Sequence, residues 1–187
     1  MFTDLKRLWL VPAFRTLLIA RVISNFGNGL GPIALAFGVL GLEDATASSL
    51  SIVMAAQLGP MVLFMLFGGV IADRFPRALV VGISDILLSG FVIANGIMLI
   101  NGSATVLSLA IIAFISGSLN ALWWPAFAGL IPEIVDEEDL QSANSVVALG
   151  ANGANITGTV AGGIIVAGIG AGWAMVTDGI SFLIAGL

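Results

Sequence analysis

The sequence predicts an all-α integral membrane protein, built as a bundle of six transmembrane helices. Hydrophobic residues make up 59% of the 187 residues and charged residues 9%, whereas soluble domains average about 45–50% and about 25%. So few charges cannot cover a surface that faces water. A helix needs about 20 mainly apolar residues to cross a bilayer, and the chain holds six apolar runs separated by short polar turns. We therefore expect a multi-pass protein in contact with the lipid bilayer.

The six predicted spans follow one another with short connections. Their limits are 14–40, 50–72, 78–100, 105–131, 143–167 and 173–187. The connections carry charged or helix-breaking residues, which are Asp44, Pro76, Gly102, Pro132 and Gly170 in chain order. Pro132 is expected to end the fourth helix. The sixth run, 173–187, is short for a crossing, so we expect the chain to be cut inside that helix, as a truncated fragment of a longer protein would be.

Lysine and arginine outside the spans fall on one side of the predicted bundle. Lys6, Arg7 and Arg15 precede or begin the first span, and Arg74 and Arg77 lie between the second and third. The turns after the first, third and fifth spans hold neither residue type. Because basic loops stay in the cytoplasm, we predict a protein of the plasma (inner) membrane with a cytoplasmic amino terminus.

The composition argues against other classes of function. Cysteine and histidine are absent, which removes disulfides, thiolate metal sites and the commonest general base. We therefore expect no metal and no cofactor. Asp85 and Asp178 differ in predicted depth by roughly 10 Å, too far for a dyad that shares a proton, so an enzyme is not expected. The six basic residues form no patch that would bind nucleic acid.

Three ionisable residues lie inside the predicted spans. Arg21, Asp85 and Asp178 are costly in lipid, and each is by default a functional candidate. Arg21 and Asp85 lie at similar depths, roughly 10 Å from the same membrane face. An ion pair between them is possible, and it could serve function or act only as a structural staple. Asp178 enters from the opposite face.

The turn after the second span reads Gly-Gly-Val-Ile-Ala-Asp-Arg-Phe-Pro-Arg. Gly69 would let two helices approach closely, and Asp73 would cap or pair at a helix end. Arg74 and Arg77 would hold the loop in the cytoplasm. This turn resembles the signature loop of the major facilitator superfamily, G-x-L-A-D-R-x-G-R-K, with Pro76 in place of the family's glycine. The resemblance implies a latch whose charge contacts form and break as two transporter halves rock.

Further segments resemble efflux members of that superfamily. From 124 to 145 the pattern Pro-Ala … Ile-Pro-Glu-Ile-Val … Leu-Gln-Ser-Ala-Asn-Ser is similar to the enterobactin exporter and macrolide efflux subfamily, and 178–183 is similar to its sixth span. In the fifth span, Gly158 and Gly162 lie four residues apart and form a packing face of small residues. Together with Gly163 they resemble a glycine motif associated with exporters.

The resemblance implies a fold equal to the amino-terminal half of the major facilitator fold. The implied function is efflux of an amphipathic small molecule, such as a drug, a macrolide or a siderophore, as in multidrug resistance. Proton-coupled alternating access, and thus antiport, would drive it, with either a missing carboxy-terminal half or a second copy as partner. The alternative is a truncated, non-transporting membrane fragment or a helix-interaction protein.

Amide side chains in the first and fourth spans are candidate substrate ligands. The resemblance implies that these spans line a central cavity, which makes Asn25, Asn28, Asn120 and Trp123 the candidate lining residues. Asn28 stands where related exporters often have aspartate, and an amide cannot release a proton. Trp123 has an alternative role beside Trp124, as an anchor at the membrane interface.

Overall fold

The computed structural model describes residues 7–187, so that Lys6 lies outside the described residues. Its long helices are α1 (Pro12–Leu40), α2 (Ala47–Ala72), α3 (Arg77–Ile100), α4 (Val106–Ile134), α5 (Leu140–Ile169) and α6 (Ala171–Gly186). A short 3-10 helix, Glu137–Asp139, leads into α5. Each long helix begins and ends within a few residues of one predicted apolar run. The apolar runs therefore predict the helices well.

Local sequence explains several helix ends. The Thr46 N–H donates to Ser49 Oγ at 3.1 Å and the Ser49 N–H donates to Thr46 Oγ1 at 3.4 Å, which caps the start of α2 on both sides. Thr105 and Ser108 repeat this arrangement at the start of α4, at 2.9 and 3.1 Å. Such capping boxes satisfy backbone donors that have no partner within the helix. Gly170 separates α5 from α6 with a φ of 97°, a conformation that favours glycine.

The prediction that Pro132 ends the fourth helix is wrong. The helix α4 continues past Pro132 to Ile134 and also contains Pro125. A proline in the last turn removes one backbone hydrogen bond but leaves the preceding turns intact. The helix ends at Ile134, and the next residue, Val135, has an extended backbone.

Four of the helices, α1 to α4, are long and apolar enough to cross a membrane by length and composition. The helix α6 is apolar but has 16 residues, and α5 carries amide, hydroxyl and glycine residues along its 30-residue length. The expectation of six spans is thus supported for four helices. The α2 side chains are mostly exposed, with Val62 69% and Leu66 83% exposed. A multi-pass protein explains such apolar exposure, because lipid covers these side chains.

The helices associate mainly as three pairs, α1 with α5, α2 with α4, and α3 with α6. The helix α6 also packs on α1, and α4 packs on α3. Glycines lie where the paired backbones meet: Gly158 faces Phe26, Gly117 faces Gln57, and Gly179 faces Ile93. Close backbone approach through small residues is how helices associate in lipid, where no hydrophobic force drives them together.

The packing glycines differ in part from those expected. Gly158 and Gly162 lie against α1, as the small-residue face predicts, but a side chain at Gly163 would meet open space. Gly69 likewise has no neighbour within 4 Å, whereas Gly68 packs on the backbone of Ala121. Successive helical residues differ by about 100° around the axis. In both cases the residue one position earlier takes the contact.

The role of Gly158 can be tested with Gly163 as a matched control in the same helix. A Cβ at position 158 would lie 2.9 Å from the carbonyl carbon of Phe26 and 3.1 Å from its Cα. Overpacking of this kind costs about 1–3 kcal/mol. We expect Gly158→Ala to lower the melting temperature of the purified chain in detergent, and Gly163→Ala to leave it unchanged or slightly raised. Equal effects of the two substitutions would contradict this packing.

Candidate functional site

A polar cavity of about 270 Å³ lies inside the bundle, with walls from α1, α3, α4, α5 and α6. All four candidate lining residues, Asn25, Asn28, Asn120 and Trp123, lie on its wall. Arg21 and Asp85, two of the three predicted intramembrane charges, line the same cavity. The remaining lining residues are Ser24, Trp124, Asn155 and Phe182. The structure therefore brings together residues that are far apart in the sequence, and we call this space the central cavity.

Arg21 lies over aromatic rings. Its guanidinium carbon lies 4.5 Å from the ring centroid of Trp123, 4.7 Å from that of Phe127 and 5.5 Å from that of Trp124. The Trp123 and Phe127 rings stack with an interplanar angle of 8°. Such cation–π contacts stabilise a buried cation by up to about 2 kcal/mol. The aromatic rings of α4 therefore hold the Arg21 side chain in the cavity.

The possible ion pair between Arg21 and Asp85 is not formed in the structure. The two side chains share the central cavity, but the ion pairs within 4.0 Å among the described residues involve Arg7 and Arg77. Asp85 is 3% exposed, and Arg21 Nε has no hydrogen-bond partner.

The two tryptophans of α4 have different surroundings. Trp123 is 5% exposed and faces the cavity, whereas Trp124 is 43% exposed. The alternative role of an interfacial anchor therefore suits Trp124 better than Trp123. Phe127, which completes the stack under Arg21, was not singled out from the sequence. Its position four residues after Trp123, on the same helix face, is the signal that could have identified it.

The cavity amides keep their oxygens available. Asn25 Nδ2 donates to the Arg21 carbonyl at 2.7 Å, and Asn120 Nδ2 donates to the Ser116 carbonyl at 2.9 Å. These bonds are local to each helix and occupy the donor end of each amide. The acceptor ends remain for a ligand or for water.

Asp178 lies in a neighbouring cavity of about 330 Å³. Asn28 and Asn120 line both spaces, so the two are adjacent. A third cavity, of about 470 Å³, shares Arg21 and Asp85 with the central one and extends towards the start of α1. The polar residues thus line a series of neighbouring cavities in the bundle.

The predicted signature loop lies at one end of the bundle. We call this end the basic end, because it carries Arg7, Arg74 and Arg77. Arg77 Nη1 donates to the Gly129 carbonyl at 2.7 Å and lies 3.1 Å from Glu133 Oε1. Its Nη2 lies 3.5 Å from Asp73 Oδ1. One guanidinium therefore links the α2–α3 loop to the end of α4. Arg74 is exposed.

A second link at the basic end was not predicted. Arg7 pairs with Asp139, the buried last residue of the 3-10 helix. Leu8 and Phe14 pack nearby in a core with Trp123 and Ile131. The amino-terminal segment is thus fixed against the α4–α5 connection, close to the central cavity.

These features define a class of protein. Several apolar helices surround an interior that carries charged and amide side chains, and such residues within a membrane mark the pathways of ions or substrates. The class is that of multi-pass membrane proteins with a polar interior. Within it, the chain belongs to the transmembrane secretion effector family of major facilitator superfamily (MFS) transporters, whose model matches residues 9–186.

Named relatives agree with this family. The enterobactin exporter EntS of Salmonella typhimurium (strain LT2) is 26% identical over 167 residues, which are 87% of this chain and 39% of the relative. The uncharacterized MFS-type transporter YkuC of Bacillus subtilis (strain 168) is 26% identical over 174 residues, 93% of this chain and 40% of the relative. The chain therefore spans about two fifths of the length of these relatives. No solved structure matches the chain.

The contact between Arg21 and Trp123 can be measured by a double-mutant cycle of Arg21→Met and Trp123→Leu. We expect a coupling free energy of about 1–2 kcal/mol, because Arg21→Met removes the cation and Trp123→Leu removes one of its aromatic partners. Chemical unfolding in detergent measures it. The control cycle uses Arg15→Met, which removes an exposed arginine of the same helix, and should show no coupling to Trp123→Leu. Zero coupling in both cycles would exclude the cation–π contact.

The link through Arg77 can be tested against Arg74, three residues earlier. We expect Arg77→Gln to lower the free energy of unfolding by about 1–2 kcal/mol, because it removes a charge-assisted hydrogen bond and two partly exposed ion pairs. Arg74→Gln should change it by less than about 0.5 kcal/mol. Thermal unfolding in detergent provides the comparison. A loss of equal size in both variants would show that net loop charge, not the Gly129 contact, matters.

Proposed function

We propose that this chain forms the amino-terminal half of an efflux transporter that exports an amphipathic small molecule, such as a drug, a macrolide or a siderophore. The observation that carries the proposal is the composition of the central cavity. Trp123 and Phe182 offer apolar surface, Asn28 and Asn120 offer amide groups, and Arg21 adds a positive charge. Ligand sites typically combine apolar walls with a few placed polar groups.

The family supports the direction of transport. One named relative is an exporter of enterobactin, and the family is described as transmembrane secretion effectors. A siderophore is an amphipathic molecule with polar metal-binding groups, so it suits a cavity that has both aromatic and amide walls. We accordingly propose export from the cytoplasm as the direction.

The proposed transport requires a second half. The matched region covers 39–40% of the relatives' length, and alternating access requires one half to rock against another around the site. Either a carboxy-terminal half or a second copy of this chain would supply it. The basic end, with Arg15, Arg74 and Arg77, would face the cytoplasm of a cell whose plasma (inner) membrane holds the protein.

We further propose that protons drive export, as in an antiporter, and that Asp85 carries the exchanged proton. This carboxylate lies in the same cavity as the candidate substrate ligands. Arg21 shares the cavity without forming an ion pair within 4.0 Å. A change in the charge of Asp85 would therefore alter the field on the substrate and on Arg21 directly.

Accumulation of a toxic compound or siderophore in cells tests the proposal. The chain would be expressed alone, and also joined to the carboxy-terminal half of a related exporter. We expect lower accumulation with the completed protein, and loss of that effect in Asn28→Ala but not in Asn144→Ala, an exposed amide outside the cavity. An effect of the chain alone would favour assembly of two copies. No effect of either form would reject efflux of these compounds and favour a non-transporting membrane fragment.

A further inference from the structure

Asp178 is a buried carboxylate of α6 that lies against α1. It is 4% exposed, and its Oδ1 atom has no hydrogen-bond partner. Gly27 and Gly31 of α1 make room for it, since a Cβ at Gly31 would lie 2.7 Å from Asp178 Oδ2. A carboxylate in lipid is costly unless a positive charge or several donors compensate it. The packing therefore encloses an acidic group that needs a bound cation or a proton to compensate its charge.

A second unpaired oxygen lines the same cavity. Asn95 is 3% exposed, and its side-chain carbonyl oxygen is buried without a partner. Buried acceptors without partners are rare and call for an unseen ligand, ion or water. Asp178 lies on α6 and Asn95 lies on α3, so two different helices each contribute one oxygen that has no hydrogen-bond partner.

The packing of α3 against α6 places these two residues within about one helical turn of each other in depth. Gly96 lies beside Gly172 and Val176, and Gly179 lies beside Ser89 and Ile93, so the two helices run antiparallel. In this register Asp178 is level with about residue 92. At a rise of about 1.5 Å per residue, the Cα atoms of Asn95 and Asp178 differ in depth by about 4–5 Å.

The cavity around them, about 330 Å³, has a composition that suits a small hard cation. Its other polar side chains include the amides of Asn28, Gln57 and Asn120, and no lysine or arginine among residues 7–187 lines it. Hard cations take carboxylate and carbonyl oxygens as ligands. One carboxylate balances one positive charge, which favours a monovalent over a divalent ion. A protonated Asp178 could donate to only one oxygen, whereas a hard cation takes several oxygen ligands, and the amides of this cavity can supply them.

We propose that this cavity binds one sodium ion between the Asp178 carboxylate and the Asn95 side-chain oxygen, and that the ion ties α3 to α6 beside α1. The site is distinct from the central cavity, where Arg21 and Asp85 are the charged groups. It depends on this chain alone and not on the proposed efflux, so its test needs no transport.

Binding can be measured directly on the purified chain in detergent. We expect saturable binding of 22Na⁺ and a melting temperature that rises when NaCl replaces choline chloride at constant ionic strength and pH, because a ligand of the folded state stabilises it. In Asp178→Asn both effects should disappear. The matched control Asp136→Asn removes an exposed carboxylate and should keep both.

A second variant keeps the proposal testable if Asp178→Asn does not fold. Asn95→Leu leaves the carboxylate in place but removes the orphan oxygen, and its melting temperature in choline chloride should equal or exceed that of the parent chain. We expect at least about a tenfold loss of 22Na⁺ affinity, equivalent to about 1.4 kcal/mol. Asn144→Leu, at an exposed amide, should retain the parent affinity.

Two results would overturn the proposal. One is a melting temperature that does not change with sodium concentration but rises on acidification in the parent chain and not in Asp178→Asn. That result would assign a proton to this carboxylate. The other is 22Na⁺ binding that persists unchanged in both Asp178→Asn and Asn95→Leu, which would place the ion elsewhere.

Discussion

The architecture depends on close backbone contact between helices that lipid does not push together. In each of the three main helix pairs, glycines let one backbone approach its partner, as Gly158 does at Phe26, Gly117 at Gln57 and Gly179 at Ile93. These contacts compensate for the missing hydrophobic drive. They also fix the rotation of each helix, and rotation decides which side chains enter the interior. The positions of the charged side chains in the cavities follow from these contacts between paired helices.

The interior of the bundle carries charged and amide side chains, whereas many exposed side chains on its outer faces are apolar. Arg21, Asp85 and Asp178 line three neighbouring cavities, together with several amide side chains. A structural ion pair would have placed Arg21 directly on Asp85. Instead, Arg21 is held on aromatic rings, and the carboxylate faces a space. Such an arrangement leaves both charged groups on the cavity wall.

The sequence alone predicts the helices closely, because apolar runs of membrane-crossing length have few other structures available to them. It also predicts the lining residues Asn28 and Asn120, through resemblance to efflux members. It does not determine rotation about the helix axis. Gly68 therefore takes the contact expected of Gly69, and Gly163 faces outward. The same ambiguity conceals Phe127 beneath Arg21. It also conceals that Asn95 and Asp178 line one cavity, because that depends on the register of two packed helices.

The polar cavities are expected to be accessible to water inside a membrane-embedded bundle. The chain contains no cysteine, so single cysteines can report access to water directly. Asn28→Cys places a thiol on the cavity wall, and Ile156→Cys places one on an outer face of α5 that is 65% exposed. A charged, water-soluble maleimide applied to membranes should modify the thiol at position 28 and spare the one at position 156. Modification only at position 156 would contradict the account, because it would place water outside the bundle and not within it.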